Sequence, residues 1–410
     1  MADQQVERRR VFYIPGYDPI HPRRYRELYR REAAAQAEIS GYEIGLKPRK
    51  GPRYGWRVSA RIEGAPVIAD VEVLVWSDIV RDSMASGILA TYAQLARTAW
   101  TYIASGTLRR LMWLRKGPVI AALYPVGMLL LQLALAFAAG RAAAALLGWA
   151  AAATMGPHWG VDVLGWALTL AAMVPVLRWF KARDNKLFAY YLMHDYAYSA
   201  QAGGANPPEL EARMAAFGEV IAAALADDVD EVLVVGHSSG AHLAVSILAD
   251  LVRAGRVPAN GPALGFLSLG QVIPMVSFLP RAHRLRADLH LLSQTDKLAW
   301  VDVTAPGDGC AFALCDPVAV SGVAPADGQR WPLVISAAFT QTLSEETWAR
   351  LRWRFFRLHF QYLCAFDRPG DYDYFRITAG PRTLADRFAG RKPSASRIDV
   401  PASRHTSMAA

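Results

Sequence analysis

The chain has 410 residues, of which 53% are hydrophobic and 20% charged, and a net charge of +9. That length holds one large domain or two ordinary ones. Its three cysteines, Cys310, Cys315 and Cys364, show no paired spacing, which argues against a disulfide framework and fits free thiols in a reducing compartment. Neither Cys310 nor Cys315 has a histidine at metal-ligand spacing, so no zinc site, and no cofactor, is expected. The basic excess sits on no recognisable nucleic-acid fold, so nucleic acid is not the expected partner. A basic surface facing anionic lipid fits better. Arg8, Arg9 and Arg10 form a basic cluster, but the apolar run behind them, residues 11–14, is too short for a secretory signal.

Residues 11–14 read as a buried strand that ends in the tight loop Pro15-Gly16-Tyr17-Asp18-Pro19. A helix with alternating charge follows over 22–39. Strands are expected at 42–46, 56–62 and 71–76, with polar linkers at 47–54 and 63–66. Residues 77–82 lead into a helical stretch that runs to about Arg110.

The composition then changes abruptly. Between residues 117 and 180 the only charges are Arg141, Asp162 and Arg178. Residues 119–139 carry none and, at about 1.5 Å per residue, can cross a bilayer core of about 30 Å. Residues 161–180 are a second candidate span, interrupted by Asp162 and Pro175. Two or three crossings are both compatible with hydropathy. An odd number would put the strand at 11–14 and any later strand of the same sheet on opposite sides of the bilayer. A two-helix hairpin is therefore expected, with 140–160 as its connection and 142–153 as an interfacial or re-entrant piece. Arg109, Arg110, Arg115 and Lys116 precede the first span, and Arg178, Lys181, Arg183 and Lys186 cluster at the end of the second. This places both ends of the hairpin, and both chain termini, in the cytoplasm of a multi-pass inner-membrane protein. His158 and Asp162 are read as interfacial residues at the connection.

Beyond the hairpin, helices are expected at 184–199 and 209–226. The run Val232-Leu233-Val234-Val235 reads as a strand, and 241–252 reads as a helix with Leu243, Ile247, Leu248 and Leu251 on one face. Between them lies Gly236-His237-Ser238-Ser239-Gly240, a G-x-S-x-G pentapeptide in the strand–turn–helix context of a nucleophile elbow. A further strand is expected at 263–269, a helix at 280–293, a strand at 297–304 and a partly irregular helix at 347–364. The tail from 391 is rich in Ser, Pro and Arg and reads as disordered. The expected organisation is an N-terminal part of the main domain at 1–116, a membrane hairpin at 117–180, a C-terminal part at 181–390 and the tail at 391–410.

A serine hydroxyl is a weak nucleophile at neutral pH and needs a base, itself oriented by a third group. The only histidines beyond the candidate acids are His359 and His405. His405 sits in the tail, which leaves His359 as the base. Asp308, just past a strand end, is the first candidate for the acid; Asp316 is second and Asp302, within the strand, third. The developing oxyanion needs backbone donors: the N–H of Ser239 and, from the loop after the first strand, that of Tyr17. His237 and His242 are read as packing residues.

The elbow glycines Gly236 and Gly240, the Pro15-Gly16-Tyr17 loop and the order Ser238, Asp308, His359 resemble the α/β-hydrolase superfamily, and Gly-His-Ser-x-Gly is similar to its lipase and carboxylesterase form. The resemblance covers 11–76 and 209 to about 363. It implies an α/β fold with a mostly parallel sheet flanked by helices, here interrupted by a transmembrane hairpin. It also implies ester, thioester or amide chemistry. The oxyanion loop departs from the family in having Pro-Gly-Tyr where a His-Gly pair is usual. The expected function is a membrane-anchored serine hydrolase acting on a lipid-like or other apolar ester, with the lipid bilayer as partner. The alternatives are an acyltransferase on the same scaffold and a non-catalytic, hydrolase-like binding module.

Overall fold

Eight strands form one sheet in the order β2-β3-β4-β1-β5-β6-β7-β8. They are β1 Arg8–Ile14, β2 Glu43–Pro48, β3 Gly55–Ile62, β4 Ala65–Val73, β5 Glu231–His237, β6 Ala263–Leu269, β7 Ala299–Thr304 and β8 Leu333–Ser336. The computed structural model describes residues 5–49, 51–84, 87–155 and 159–410. From β4 through β8 every pairing is parallel; β2 and β3 form an antiparallel edge. The central strands are buried on both faces, as parallel strands covered by helices must be, which explains why β5 reads as an unbroken apolar run. Alternate residues enter one core: Val11 and Tyr13, Leu233 and Val235, Leu267 and Leu269, Val301 and Val303. The other residues of these strands face the opposite side, where Phe266 stacks on Trp300 with ring centroids 5.1 Å apart.

The helices up to the central turn are α1 Arg23–Ser40, α2 Ser77–Met84, α3 Ile88–Ala104, α4 Thr107–Leu114, α5 Lys116–Met155, α6 Trp159–Lys181, α7 Asp184–Leu187, α8 Ala189–Ala200, α9 Pro208–Ala224 and α10 Ser239–Arg253. The chain divides into two compact units. One comprises Met1–Asp82, Tyr102–Pro118 and Ala202–Ala410 and contains the whole sheet; the other comprises Ser83–Thr101 and Val119–Gln201 and is helical.

Within the helical unit, Lys116–Ala151 and Trp159–Lys181 are long and apolar enough to cross a membrane. Their large side chains point outward, among them Leu130, Leu131, Leu135, Leu146, Leu164 and Leu170. The two helices approach closely where residues are small. A Cβ on Gly140 would lie 2.5 Å from the Thr169 carbonyl oxygen, and one on Gly165 would lie 3.6 Å from the Ala144 methyl. Such small-residue contacts let apolar helices pack without a hydrophobic drive between them. A separate core of Leu95, Leu129, Ala189, Tyr190 and Met193 joins α3, α5 and α8, and the Tyr92 hydroxyl donates to the Leu129 carbonyl at 2.9 Å.

Several expectations are corrected. The helical insertion is larger than 117–180, because α8 and most of α3 pack with it. Residues 140–155 are not a connection with an interfacial piece: α5 runs through them without a break. Their alanines favour helix strongly, and two isolated glycines, Gly140 and Gly148, do not end a helix held by a neighbour. His158 lies outside the described residues; Asp162 is in the first turn of α6. The third early strand is shifted to Ala65–Val73, with 74–76 in the following loop. β8 has only four residues, too short a run to stand out from its surroundings. The segment expected to be helical over 347–364 breaks into Glu345–Leu351, Phe355–His359 and a single 3-10 turn, Gln361–Leu363. The tail, expected to be disordered, is pinned by backbone hydrogen bonds. Asp316 N–H donates to Ile398 and Ile398 N–H to Leu314, each at 2.8 Å, and Ala402 N–H donates to Val320 at 2.9 Å. Composition suggested disorder there, but strand-like pairing against a folded body satisfies the backbone without apolar side chains.

Candidate active site

β5 carries the chain to the centre of the sheet, where it turns sharply into α10. Ser238 sits at that turn with φ 55° and ψ −122°. A non-glycine residue adopts such a backbone only at a cost of about 1–3 kcal/mol, met by the surrounding structure. Here the Ser238 N–H donates to the Leu269 carbonyl at 2.9 Å, and the Ser238 carbonyl accepts from Ala241 N–H at 3.1 Å. The glycines are steric requirements. A Cβ on Gly240 would come 2.1 Å from the Ile14 carbonyl oxygen, and one on Gly236 would come 2.8 Å from Ala241 Cα.

The register Ile14↔Gly236 brings the loop after β1 against this turn. A Cβ on Gly16 would lie 3.0 Å from Ser238 Cβ and 3.4 Å from Ser238 Oγ. Trp76 braces the loop: its indole N–H donates to the Pro15 carbonyl at 2.9 Å, and its ring meets Tyr17 edge-on at 6.0 Å. Ser239, as the first residue of α10, has an N–H with no partner inside the helix. Ser239 and Tyr17 thus lie in the turn and the loop that flank Ser238.

His359 and Asp308 meet directly, with Nδ1 to Oδ2 at 2.7 Å and both residues buried. The carboxylate also accepts from the Tyr362 hydroxyl at 3.0 Å and from Cys310 N–H at 2.9 Å. Burial pushes the Asp308 carboxyl up, but the His359 imidazole and these donors outweigh it and hold the group below the usual carboxylate range. Asp308 is therefore ionised and only accepts, so His359 Nδ1 donates a proton to it. Nε2 is buried and has no hydrogen-bond partner among the described residues. The hydroxyl of Ser238 therefore does not hydrogen-bond to it here. Gly270, adjoining the Leu269 carbonyl that holds Ser238, has φ 53°, and a Cβ there would lie 3.0 Å from His359 Cε1 and 2.7 Å from the Tyr362 ring.

The other candidate acids are engaged elsewhere. Asp316 caps the helix Pro317–Val320, accepting from Val318 N–H at 3.0 Å and Ala319 N–H at 3.2 Å, and takes a further bond from Gln329 at 2.8 Å. Asp302 lies within β7 and accepts from the Ser268 hydroxyl at 2.5 Å on the neighbouring strand. Burial pushes its carboxyl up to about 8. His405 reaches the Ser105 carbonyl at 3.2 Å. His242 is buried in α10, and burial lowers it to about 4, which keeps it neutral.

Three residues of the site escaped sequence reasoning as functional groups. His237, read as a packing residue, contacts the His359 carbonyl through Nε2 at 3.0 Å, with the two rings 4.8 Å apart. Burial, with His359 close by, lowers it to about 3, so it is neutral and donates this bond. Tyr362 and Gly270 supply the second grip on Asp308 and the space for the imidazole. Tyr362 follows His359 by three residues, a helical spacing that places both on one side of the chain, and this was the available signal.

Comparison with protein-family models, with curated proteins and with solved structures finds no match. Any chemistry must therefore be argued from the site. An imidazole with an orphan nitrogen, a carboxylate bonded to its other nitrogen and a serine on a strained turn are residue types that acyl transfer uses. Asp308, Cys310 and His359 also present ligand atoms within 4.8 Å of one another, a grouping that sequence spacing did not suggest and that could hold a metal ion. Against that use, burial raises the Cys310 thiol, and the Asp308–His359 pair already occupies Nδ1.

Proposed function

We propose that this protein is a serine hydrolase with an α/β-hydrolase-like domain anchored in a membrane. The observation that carries the reading is the buried His359–Asp308 pair, with its Nε2 unengaged among the described residues, beside the turn that bears Ser238. The mostly parallel sheet flanked by helices and the serine on a strand-to-helix turn support it as well. In the proposed reaction Ser238 Oγ bonds to the acyl carbon of an ester while His359 Nε2 takes the hydroxyl proton. Asp308 keeps the imidazole in the correct tautomer and stabilises the imidazolium. The oxyanion is received by the N–H of Ser239, with Tyr17 as the second donor assigned from the loop after β1. The proton then passes from Nε2 to the leaving alcohol. Water repeats the cycle on the acyl-enzyme and frees the acid.

The two apolar helices, with their outward-facing leucines and tryptophans, support a membrane location. The arginines and lysines flanking them favour placing the sheet-containing unit and both termini in the cytoplasm. An enzyme held there meets apolar, lipid-like esters first. Labelling with a fluorophosphonate probe tests the chemistry. The parent should label and Ser238→Ala should not; equal labelling of both, or of neither, overturns the assignment. A protease-cleavable tag at Ala410 tests the orientation. It should be cut in inside-out vesicles and spared in intact cells, and the reverse overturns the topology.

A further inference from the structure

Residues 350–357 read Arg-Leu-Arg-Trp-Arg-Phe-Phe-Arg and lead directly into His359. Leu351 is buried and ties the segment down, but Trp353 is 73% exposed and Phe355 46%. Arg352, Arg354 and Arg357 are exposed and form no ion pair among the described residues. The Arg352 guanidinium lies over the Trp353 ring at 5.7 Å, and Trp353 meets Phe355 edge-on at 6.4 Å. Water is a poor solvent for such a cluster. The headgroup layer of a bilayer suits it, because aromatic rings and arginines favour that layer and its anionic lipids attract the charge.

The position of the segment adds a second argument. A Cβ on Gly309, the residue after Asp308, would lie 3.2 Å from the Phe355 ring. From another side, a Cβ on Gly117 would lie 3.5 Å from the Gly309 carbonyl oxygen. Gly117 is in the first turn of the apolar helix α5. Just before it come exposed Trp113, Arg109, Arg110 and Lys116, while Arg115 is anchored on the Ala313 carbonyl at 2.9 Å. The aromatic–arginine segment, the loop of the acid and the foot of α5 thus form one continuous surface of the sheet-containing unit.

We infer that this surface, centred on Trp353 and Arg352/Arg354, rests in the anionic headgroup layer of the bilayer and presents the mouth of the Ser238 site to esters dissolved there. The inference rests on the hydrolase reading for its substrate, but the surface itself can be tested without catalysis. The full-length protein, with Trp353 replaced by p-benzoylphenylalanine, is placed in nanodiscs of phosphatidylcholine with about a third phosphatidylglycerol and irradiated. The same probe at Ile68, an exposed position on β4, serves as reference. A lipid adduct at 353 and little at 68 is expected. Equal yields at the two positions, or an adduct only to protein at 353, overturn the surface.

Activity supplies the second arm. Trp353→Ala should lower turnover of a bilayer-dissolved long-chain ester by about ten-fold. Turnover of a water-soluble short-chain ester, and fluorophosphonate labelling, should stay within about two-fold. R352Q/R354Q should abolish the dependence of long-chain turnover on phosphatidylglycerol content. Equal losses on both esters, or none on either, overturn the role in substrate access. If Ser238 fails to label at all, the hydrolase reading falls, while the crosslink still reports whether the surface lies in lipid.

Discussion

His359 Nδ1 lies 2.7 Å from Asp308 Oδ2, while Nε2 of the same ring is buried without a hydrogen-bond partner among the described residues. The pair is loaded on one side and open on the other, which is the state a general base needs before substrate arrives.

Asp308→Asn leaves the shape of the site intact but can offer Nδ1 a donor instead of an acceptor, so the imidazole turns to the wrong tautomer. Turnover of a soluble ester should fall by about 10³–10⁴. Steady-state kinetics with active-site titration checks this. A loss below about ten-fold would mean that Asp308 does not orient the base.

Tyr362→Phe removes one of the donors that hold Asp308 ionised. A depressed carboxyl contributes stability that is present above its unfolded value and lost as the pH falls through its folded value. Without the Tyr362 hydroxyl the folded value rises toward the usual range. Activity and stability should therefore be lost at a higher pH on acidification, with little change near neutrality. Activity profiles and denaturant midpoints between about pH 3 and 7 show the displacement, which a purely packing role would not produce.

Asp302 behaves in the opposite sense. Its carboxyl is pushed up to about 8 in the folded protein, against about 3.9 in an unfolded chain. Between those values the folded protein keeps a proton that the unfolded chain has released, so stability declines as the pH rises toward 8. Asp302→Asn keeps the acceptor for Ser268 and removes the titration. It should be more stable than the parent at pH 7, by up to about 4 kcal/mol, and equal to it below about pH 4. Denaturant unfolding at the two pH values measures the difference.

Gly16→Ala would push a methyl group against Ser238 Cβ and Oγ without straining the backbone, because Gly16 is not among the glycines with positive φ. Turnover should drop by about 10², with the unfolding midpoint nearly unchanged. A parental rate would place the loop after β1 outside the reacting geometry.

Much of the fold is legible in the sequence because its signals are local. The apolar run of β5, the small residues around Ser238 and the helical spacing of α10 each act over a few residues, and together they imply the turn. The same holds for the charge-poor stretch that becomes α5 and α6. His359 stands out in the sequence as the candidate base because only His405 competes with it.

What the sequence left open depends on contacts between distant residues. Asp308, Asp316 and Asp302 look alike in sequence. Folding brings Asp308 to His359 across 51 residues, while Asp316 is used by a helix start and Asp302 is walled in by β6. The role of His237 rests on the carbonyl of His359, 122 residues away, and could not be read from its neighbours. The order of the tail comes from hydrogen bonds donated and accepted by residues 314–320, which composition does not encode. Local sequence determined that a serine would stand on a strained turn at the centre of a sheet. Only the tertiary structure decided which carboxylate pairs with the His359 imidazole, because an elbow is built from neighbouring residues and such a pair from distant ones.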